Sequence, residues 1–229
     1  MYYIMSFANY DKIISKKYHD TEAYNPNKSC PQHPFRMLIV GSSGSGKTSA
    51  LLDIIFKCAC FHRIFLIAKD LEEPKYRYLI DYFQKIEQKV GFVEILSYTD
   101  DLSEAPDVDT LDKSIQNLII FDDMISDSNL NSLMPLFIRS RKKNTSIIFL
   151  SQAYHKLPKT LRIQCNYLVS AKQTLEDRKK IYQEWVDDTT EQQFMEAFMS
   201  ITKNPFHFFI IDKKTKNLAL KYRDRFSRF

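Results

Sequence analysis

Glycine is scarce in this sequence, with 4 glycines among 229 residues, where average usage of about 7% would give roughly 16. Three of the four, Gly41, Gly44 and Gly46, lie close together in one short segment. Glycine adopts backbone conformations that other residues avoid, so this concentration indicates a special backbone shape. The scarcity elsewhere excludes a collagen-like fibre. We therefore look for function first at this glycine cluster.

Long apolar runs are also absent. No stretch approaches the roughly 18 residues that a membrane helix needs, and the polar start MYYIMSFANYDK lacks the regions of a signal peptide. Hydrophobic residues make up 44% and charged residues 27% of the chain, which is typical of folded globular proteins. We therefore expect an intracellular globular protein with no membrane partner, not secreted.

The four cysteines show no metal-site or redox-motif spacing. There is no C-x-x-C pair, and Cys58 falls on the apolar stripe of a predicted helix. We therefore expect reduced thiols in the core of an intracellular protein.

Short apolar runs recur along the chain, at residues 37–40, 64–68, 92–96, 117–121, 146–150 and 167–169. Such runs, alternating with helical segments, are typical of a parallel sheet that is buried on both faces. The pattern predicts an α/β fold with a mainly parallel sheet, helices on both faces and a C-terminal β-hairpin around residues 213–217. Residues 1–34 are interpreted as an N-terminal arm or capping segment, and residues 35–229 as one domain.

Four helices are predicted between and after these runs. The first follows the glycine segment, with an apolar stripe at Leu51, Ile54, Ile55, Cys58 and Ala59. A second spans 72–89, with core positions at Tyr78, Ile80, Phe83 and Ile86. The other two span 174–186 and 190–201.

The glycine segment matches the phosphate-binding pattern G-x-x-x-x-G-K-[ST], between a predicted strand and a helix. In such a loop, successive N–H groups and the helix N-terminus face phosphate oxygens, the lysine reaches the β- and γ-phosphates, and the hydroxyl ligates Mg²⁺. The sequence thus predicts an ATP-binding loop, with Lys47 as the phosphate-binding cation and Thr48 as the metal ligand. The residues of this loop are Gly41, Ser42, Ser43, Gly44, Ser45, Gly46, Lys47, Thr48 and Ser49.

Two carboxylates follow the apolar run at 117–121. Ligands of open α/β sheets collect at the carboxyl ends of the strands. Asp122 is therefore predicted to hold Mg²⁺, directly or through water, and Asp123 to orient or deprotonate the attacking water.

A polar pair, Ser151-Gln152, ends the run at 146–150. Suppose that this strand lies between the strand before the phosphate-binding loop (the P-loop) and the strand that ends near Asp122. The Gln152 amide then reaches the γ-phosphate and can signal its hydrolysis to the rest of the molecule. The alternative is a polar pair that only caps the next helix.

A basic run precedes the same strand, with four positive charges in residues 139–143. Three interpretations stay open: a solvated basic face, an arginine finger acting on a neighbouring subunit, or a contact to the DNA backbone. The net charge of +5 permits an anionic partner without requiring one.

The segments MLIVGSSGSGKTS, NLIIFDDM and SRKKNTSIIFLSQ resemble the FtsK/HerA superfamily of DNA-pumping ATPases. Within it, they are most similar to the poxvirus-type genome-packaging ATPases of large DNA viruses and virophages. The likeness covers about residues 34–172. Where the wider superfamily has Asp-Glu, this chain has Asp122-Asp123, which leaves the identity of the water-activating residue open.

The resemblance implies a RecA-like P-loop NTPase core, with Gln152 as sensor and Arg141 as the finger supplied to the next subunit of a homo-oligomeric ring. It further implies an ATP- and Mg²⁺-dependent translocase that packages double-stranded DNA into a preformed viral capsid. Lys142 and Lys143 are then candidate DNA contacts, a capsid or portal component is an expected partner, and the host cytoplasm, viral factory or virion is the expected location. Two alternatives remain, a P-loop nucleotide kinase with a basic lid and a nucleotide-gated switch or scaffold.

Overall fold

The computed structural model describes residues 30–58, 61–91, 93–124, 130–215, 217–224 and 226. Residues 1–29, most of the predicted arm, lie outside the described residues. Among the described residues, no helix has the length and apolar character needed to cross a lipid bilayer.

Eight strands form one sheet, in the order β3-β2-β4-β5-β1-β6-β7-β8. The first six strands are parallel where they pair, and β7 and β8 are antiparallel to their neighbours. Their bounds are Arg36–Val40 (β1), Arg63–Ala68 (β2), Leu96–Thr99 (β3), Asn117–Asp122 (β4), Thr145–Ser151 (β5), Tyr167–Ser170 (β6), Phe209–Asp212 (β7) and Tyr222–Arg223 (β8). This is the predicted mostly parallel α/β sheet with an antiparallel C-terminal edge.

Helices cover both faces of the sheet, as predicted. One face packs against α1 and α2, and the other against α3, α4, α5 and α6, so the strands in the middle of the sheet are buried on both sides. The helix bounds are Lys47–Lys57 (α1), Pro74–Lys89 (α2), Met134–Arg139 (α3), Lys159–Arg162 (α4), Leu175–Trp185 (α5), Glu191–Thr202 (α6) and Leu218–Lys221 (α7). Short 3₁₀ turns lie at Leu102–Glu104, Leu130–Leu133 and Ser140–Lys143.

The strand predicted at 92–96 is displaced toward the C-terminus. Phe92 is not among the described residues, Val93 is exposed, and β3 begins only at Leu96. The carboxylate of Glu87, on α2, accepts hydrogen bonds from the N–H groups of Ile95 and Leu96, at 2.7 and 2.8 Å. These two donors therefore bond to a side chain of the preceding helix instead of to a neighbouring strand. The apolar pattern alone could not reveal this competition.

The buried stripe of α2 differs from the predicted one. Tyr78 is 56% exposed, whereas Tyr76, Leu79 and Phe83 are the buried positions. Both sets of residues have helical spacing, and only the packing of α2 on the sheet decides between them. The hydroxyl of Tyr76 therefore points into the protein rather than into solvent.

The stripe of α1 agrees with the prediction at Leu51, Ile54, Ile55 and Cys58, while Ala59 lies outside the described residues. The predicted C-terminal hairpin is present, because β7 pairs antiparallel with β8. Its second arm is shorter than expected, since residues 218–221 form the short helix α7 and only Tyr222–Arg223 are strand.

The expectation of reduced thiols is wrong for two of the cysteines. Cys30 and Cys58 form a disulfide, with their Cα atoms 5.7 Å apart. The fold brings the chain entering β1 beside the C-terminal end of α1, and nothing in the spacing of the cysteines indicated this proximity. Cys165 is a buried free thiol, as expected, and burial raises its pKa to about 12.

Residues 30–34, which the prediction assigned to the arm, pack against the domain. The buried His33 ring donates from Nε2 to the backbone oxygen and Oδ1 of Asn144, at 3.1 and 2.9 Å. Its Nδ1 accepts from the Ser146 hydroxyl at 2.7 Å, and that hydroxyl oxygen also accepts from the N–H of Phe35. Burial lowers the pKa of His33 to about 4, so the ring is neutral near pH 7. This network fixes the start of β1 against the start of β5.

Candidate nucleotide-binding site

The strand order brings the predicted site residues together at the carboxyl ends of neighbouring parallel strands. β5 lies between β1 and β4, with Val40 opposite Ser151 and Asp122 opposite Leu150. The condition set for Gln152 is therefore met, because the P-loop, the two carboxylates and Gln152 follow the carboxyl ends of adjacent parallel strands. This is the edge at which open α/β sheets bind ligands.

The loop after β1 uses its glycines for conformation and for close packing. Gly44 and Gly46 have φ of +73° and +94°, in the region that favours glycine. A Cβ on Gly41 would lie 2.7 Å from the Cβ of Ala171, and one on Gly46 would lie 2.6 Å from the Phe206 ring. The glycine cluster is thus required by shape, as predicted.

The N-terminus of α1 is open to an anion. Gly46 is the N-cap, no side chain caps the helix, and the first turn holds no acidic residue. Helix N–H groups without intrahelical partners, together with the positive end of the helix dipole, favour phosphate. The buried hydroxyl oxygen of Ser45 in the same loop has no hydrogen-bond partner within the described part of the chain.

The Lys47 ammonium lies across the loop. It donates to the backbone oxygens of Gly41 and Ser42, at 2.9 and 3.1 Å. Burial lowers its pKa, and the charges of Asp122 and Asp123 oppose that shift. The lysine is therefore on the nucleotide side of the sheet, close to both carboxylates.

Asp122 has a partner that the sequence analysis missed. The hydroxyl of Tyr76, a residue only 1% exposed, donates to its Oδ2 at 2.5 Å. Burial raises the pKa of Asp122, and the Tyr76 hydrogen bond and the Lys47 charge work against that rise. Burial and the charge of Asp122 raise the pKa of Tyr76, while a hydrogen bond with Thr48 lowers it. Tyr76 therefore connects the two predicted metal ligands, Thr48 and Asp122.

Asp123 and Gln152 are in direct contact. The Gln152 amide donates to Oδ2 of Asp123 at 3.1 Å. Asp123 has a φ of +55°, an unusual conformation for a residue other than glycine. Such strain is found at functional sites, where surrounding structure holds it in place. The geometry couples the predicted water-activating residue to the predicted sensor.

The donor set suits Mg²⁺ bound together with a nucleotide. The described residues contain no cluster of three or more His, Cys, Asp or Glu side chains able to hold a metal on their own. Mg²⁺ is commonly bound by one or two protein oxygens plus substrate phosphates and water. The Thr48 hydroxyl and the Asp122 carboxylate fit that pattern.

The basic run lies at the opposite end of the parallel strands, where their amino ends meet. Arg141 is in the 3₁₀ turn before β5, whereas Gln152 follows the end of this seven-residue strand, and seven strand residues span about 20 Å. Burial lowers the pKa of Lys214 to about 8; the charge of Asp212 opposes this shift, and the charges of Arg141 and Arg36 add to it. Arg36, Arg141 and Lys214 therefore lie near one another at this end of the sheet, far from the P-loop.

Two residues of the basic run bond to Asp109 in a neighbouring loop. Arg139 forms an ion pair with the Asp109 carboxylate, and the Lys143 ammonium donates to the backbone oxygen of Asp109 at 3.1 Å. Arg141 and Lys142 are exposed. The run therefore includes two residues that bond to Asp109 and two whose side chains are exposed.

The strand order, the P-loop and the carboxylates at the carboxyl end of β4 define a P-loop NTPase fold. The family model described as Poxvirus A32 protein matches residues 23–214, so the chain belongs to that family. No curated protein sequence matches the chain significantly.

Solved structures of viral packaging ATPases share the fold. The genome packaging NTPase B204 of Sulfolobus turreted icosahedral virus 2, in complex with AMP, superposes with a TM-score of 0.56 at 12% identity, covering 84% of this chain and 96% of that one. Its complex with ATP-gammaS gives 0.55 at 13% identity, covering 80% and 94%. B204 of Sulfolobus turreted icosahedral virus, described as the DNA-packaging ATPase, gives 0.54 at 14% identity, covering 84% and 98%.

Proposed function

We propose that this chain is an ATP-driven double-stranded DNA translocase that packages a viral genome into a preformed capsid as a homo-oligomeric ring. The observation that carries the proposal is the convergence of Lys47, Asp122 and the Asp123–Gln152 pair at one sheet edge in a chain of the Poxvirus A32 family. The B204 proteins, which have the same fold, are described as genome-packaging NTPases.

Each residue of the site has a role that its position supports. The N–H groups of residues 41–49 and the α1 N-terminus would hold the phosphates of ATP, with Lys47 at the β- and γ-phosphates. Thr48 and Asp122 would hold Mg²⁺, and its charge would stabilise the transferring phosphoryl group. Asp123 would orient the attacking water, and Gln152 would detect the loss of the γ-phosphate through its contact with Asp123.

Arg141 is proposed to act on the site of the next subunit. Its place before β5 puts it about 20 Å from the P-loop edge of its own sheet. A finger residue must approach the γ-phosphate closely, so only a neighbouring P-loop is available to it. The same distance argues against the kinase alternative, in which the basic run would be a lid over its own nucleotide.

Double-stranded DNA is the proposed cargo. The exposed Lys142 and the net charge of +5 favour contact with a phosphate backbone. Lys143 is less suited than expected, because its ammonium already bonds to Asp109. A capsid or portal component is the further proposed partner, and the host cytoplasm, a viral factory or the virion is the proposed location.

The deciding experiment measures ATP hydrolysis with and without long duplex DNA. We expect Mg²⁺-dependent turnover that duplex DNA stimulates, and no turnover in Lys47→Ala, because the phosphates lose the cation of the P-loop. A nucleotide-gated scaffold would bind ATP with negligible turnover in both conditions. A nucleotide kinase would require a nucleotide acceptor and ignore DNA. Either result would overturn the proposal.

A further inference from the structure

A short segment of the chain connects the two ends of the parallel strands. Gln152 follows β5 at the carboxyl ends, and Gln164 contacts Arg36, the first residue of β1, at the amino ends. Residues 153–164, which we call the post-sensor segment, run between these two points and include α4. The segment therefore begins at the proposed γ-phosphate sensor and ends at the side of the sheet where Arg141 lies.

The post-sensor segment is held beside α5 near both ends of that helix. Near the start of α5, the buried Asp177 carboxylate accepts hydrogen bonds from the backbone N–H of His155 at 3.1 Å and from its ring Nδ1 at 3.0 Å. Near the end of α5, Glu184 accepts from the Tyr154 hydroxyl at 2.6 Å and from the Arg162 guanidinium at 2.6 and 2.9 Å. The two carboxylates are seven residues apart on α5, about 10 Å along the helix axis. The segment therefore lies along the helix and does not merely touch it at one place.

Arg162 joins parts of the post-sensor segment to each other and to α5. It is only 8% exposed. Its Nη1 donates to the backbone oxygen of Leu157, while Nε and Nη2 donate to the two carboxylate oxygens of Glu184. The guanidinium also lies over the Tyr154 ring, 4.8 Å from its centroid. A planar fork of donors binds in a fixed orientation, so Arg162 fixes the path of the segment.

The end of the post-sensor segment meets the part of the chain that carries Arg141. The Arg36 guanidinium donates to the backbone oxygen of Phe137 at 2.6 Å and to Oε1 of Gln164 at 3.5 Å, so it lies between α3 and the segment. Two further hydrogen bonds, at 2.8 and 2.9 Å, join the backbone of Arg36 to Asn166, just beyond the segment. α3 continues directly into the 3₁₀ turn that holds Arg141. A shift of the segment therefore changes the support of Arg141.

We propose that Arg162 is a positioning residue that couples the sensor of one nucleotide site to the arginine that acts on the next site. The inference rests on the proposed function, in which Gln152 detects the γ-phosphate and Arg141 serves the neighbouring subunit. The Gln152 amide donates to Asp123 at 3.1 Å, and a γ-phosphate offers it competing acceptors, so ATP and ADP favour different arrangements. Exchange of one acceptor for the other moves the start of the post-sensor segment, and Arg162 carries that movement to Arg36 and Arg141.

Hydrogen–deuterium exchange on the full chain tests this coupling, with Mg²⁺-ATPγS compared to Mg²⁺-ADP. In the wild type we expect ATPγS to slow amide exchange about fivefold in the post-sensor segment and in residues 137–143, a value within the usual range of coupling between sites. Arg162→Lys keeps the charge but loses the forked contact, so it should retain nucleotide protection at the P-loop and lose the effect at 137–143. Arg63→Lys alters an exposed ion pair with Glu94 at the amino end of β2. It is the matched control and should behave as the wild type.

A second variant tests the same link without disturbing the buried contacts of Arg162. Gln164→Ala should keep the ATPγS effect in residues 153–162 and weaken it in 137–143. A wild type in which nucleotide protects the P-loop but ATPγS leaves 137–143 unchanged would overturn the coupling and leave the proposed function intact. An effect at 137–143 that survives at full strength in both variants would overturn the coupling in the same way. Absence of P-loop protection with either nucleotide would overturn the proposed function, and this inference with it.

Discussion

Replacing Tyr76 with Phe tests how the fold supports Asp122. The Tyr76 hydroxyl is buried and donates to the Asp122 carboxylate at 2.5 Å. Hydrogen bonds to charged groups contribute about 1.5–3 kcal/mol, and the remaining carboxylate would stay in the same poorly solvated position. Taking about 2 kcal/mol, and about 2–4 °C for each kcal/mol in a chain of this size, the melting temperature should fall by about 4–8 °C.

The dependence on pH and Mg²⁺ distinguishes this mechanism from a general packing defect. Loss of the Tyr76 donor raises the pKa of Asp122 further, in the direction that burial already imposes. The variant therefore loses most stability at pH 8, where the carboxylate is ionised, and less as acid protonates it. Mg²⁺ with ATP should recover part of the loss by giving Asp122 another partner.

Differential scanning fluorimetry at pH 5 and pH 8, with and without Mg²⁺-ATP, measures these effects. Tyr78→Phe on the same helix is the matched control, because Tyr78 is exposed, and it should leave the melting temperature unchanged. A Tyr76→Phe protein as stable as the wild type, or one whose loss is the same at both pH values, would refute the reasoning.

Four further predictions concern residues placed by the structure. Asp123→Asn should bind ATP but lose most turnover, and normal turnover would assign water activation to another group. Arg141→Ala should lose about 10³-fold in ATPase activity and regain part of it when mixed with Lys47→Ala subunits; failure in mixtures proven to exchange subunits would place Arg141 in its own site. Lys142→Ala should weaken duplex binding in filter-binding assays and reduce its salt dependence, with little change in basal hydrolysis, and an unchanged salt slope would remove it from the DNA contact. His33 has a pKa of about 4 in the folded protein against an ordinary value of 6.5, so the unfolded chain binds a proton at a higher pH than the folded protein does. The free energy of unfolding should therefore fall by about 3 kcal/mol as the pH falls from 6.5 to 4. Urea unfolding of His33→Gln should not show this loss, and an equal acid sensitivity in variant and wild type would contradict the prediction.

The sequence was sufficient to predict the phosphate loop because its chemistry is local. The spacing of glycines, Lys47 and Thr48 within one segment determines both the loop shape and the helix N-terminus that follows it. The strands were predictable for a similar reason, since burial on both faces leaves continuous apolar runs. The prediction that the Gln152 amide reaches the γ-phosphate depended on one condition, that β5 lies between β1 and the strand that carries Asp122, and the sheet satisfies this condition.

Contacts between distant segments were not predictable in this way. Tyr76 was missed because two overlapping stripes on α2 have helical spacing, and only packing against the sheet selects one of them. Phe206 lies in a connection without periodicity, and its contact with Gly46 depends on how the chain returns to β7. The disulfide of Cys30 and Cys58 likewise depends on where the segment before β1 packs.

The basic run shows how closeness in sequence can mislead about function. Arg141 and Gln152 flank the same short strand, which suggests a common site when only the sequence is considered. A strand is extended, however, so the residues before and after it lie at opposite edges of the sheet, here about 20 Å apart. Gln152 is at the edge that holds the P-loop, and Arg141 is with Arg36 and Lys214 at the other. If Arg141 acts on the γ-phosphate of a nucleotide, as we propose, that nucleotide is bound by another copy of the chain, so a catalytic arginine at this position requires an assembly of several copies.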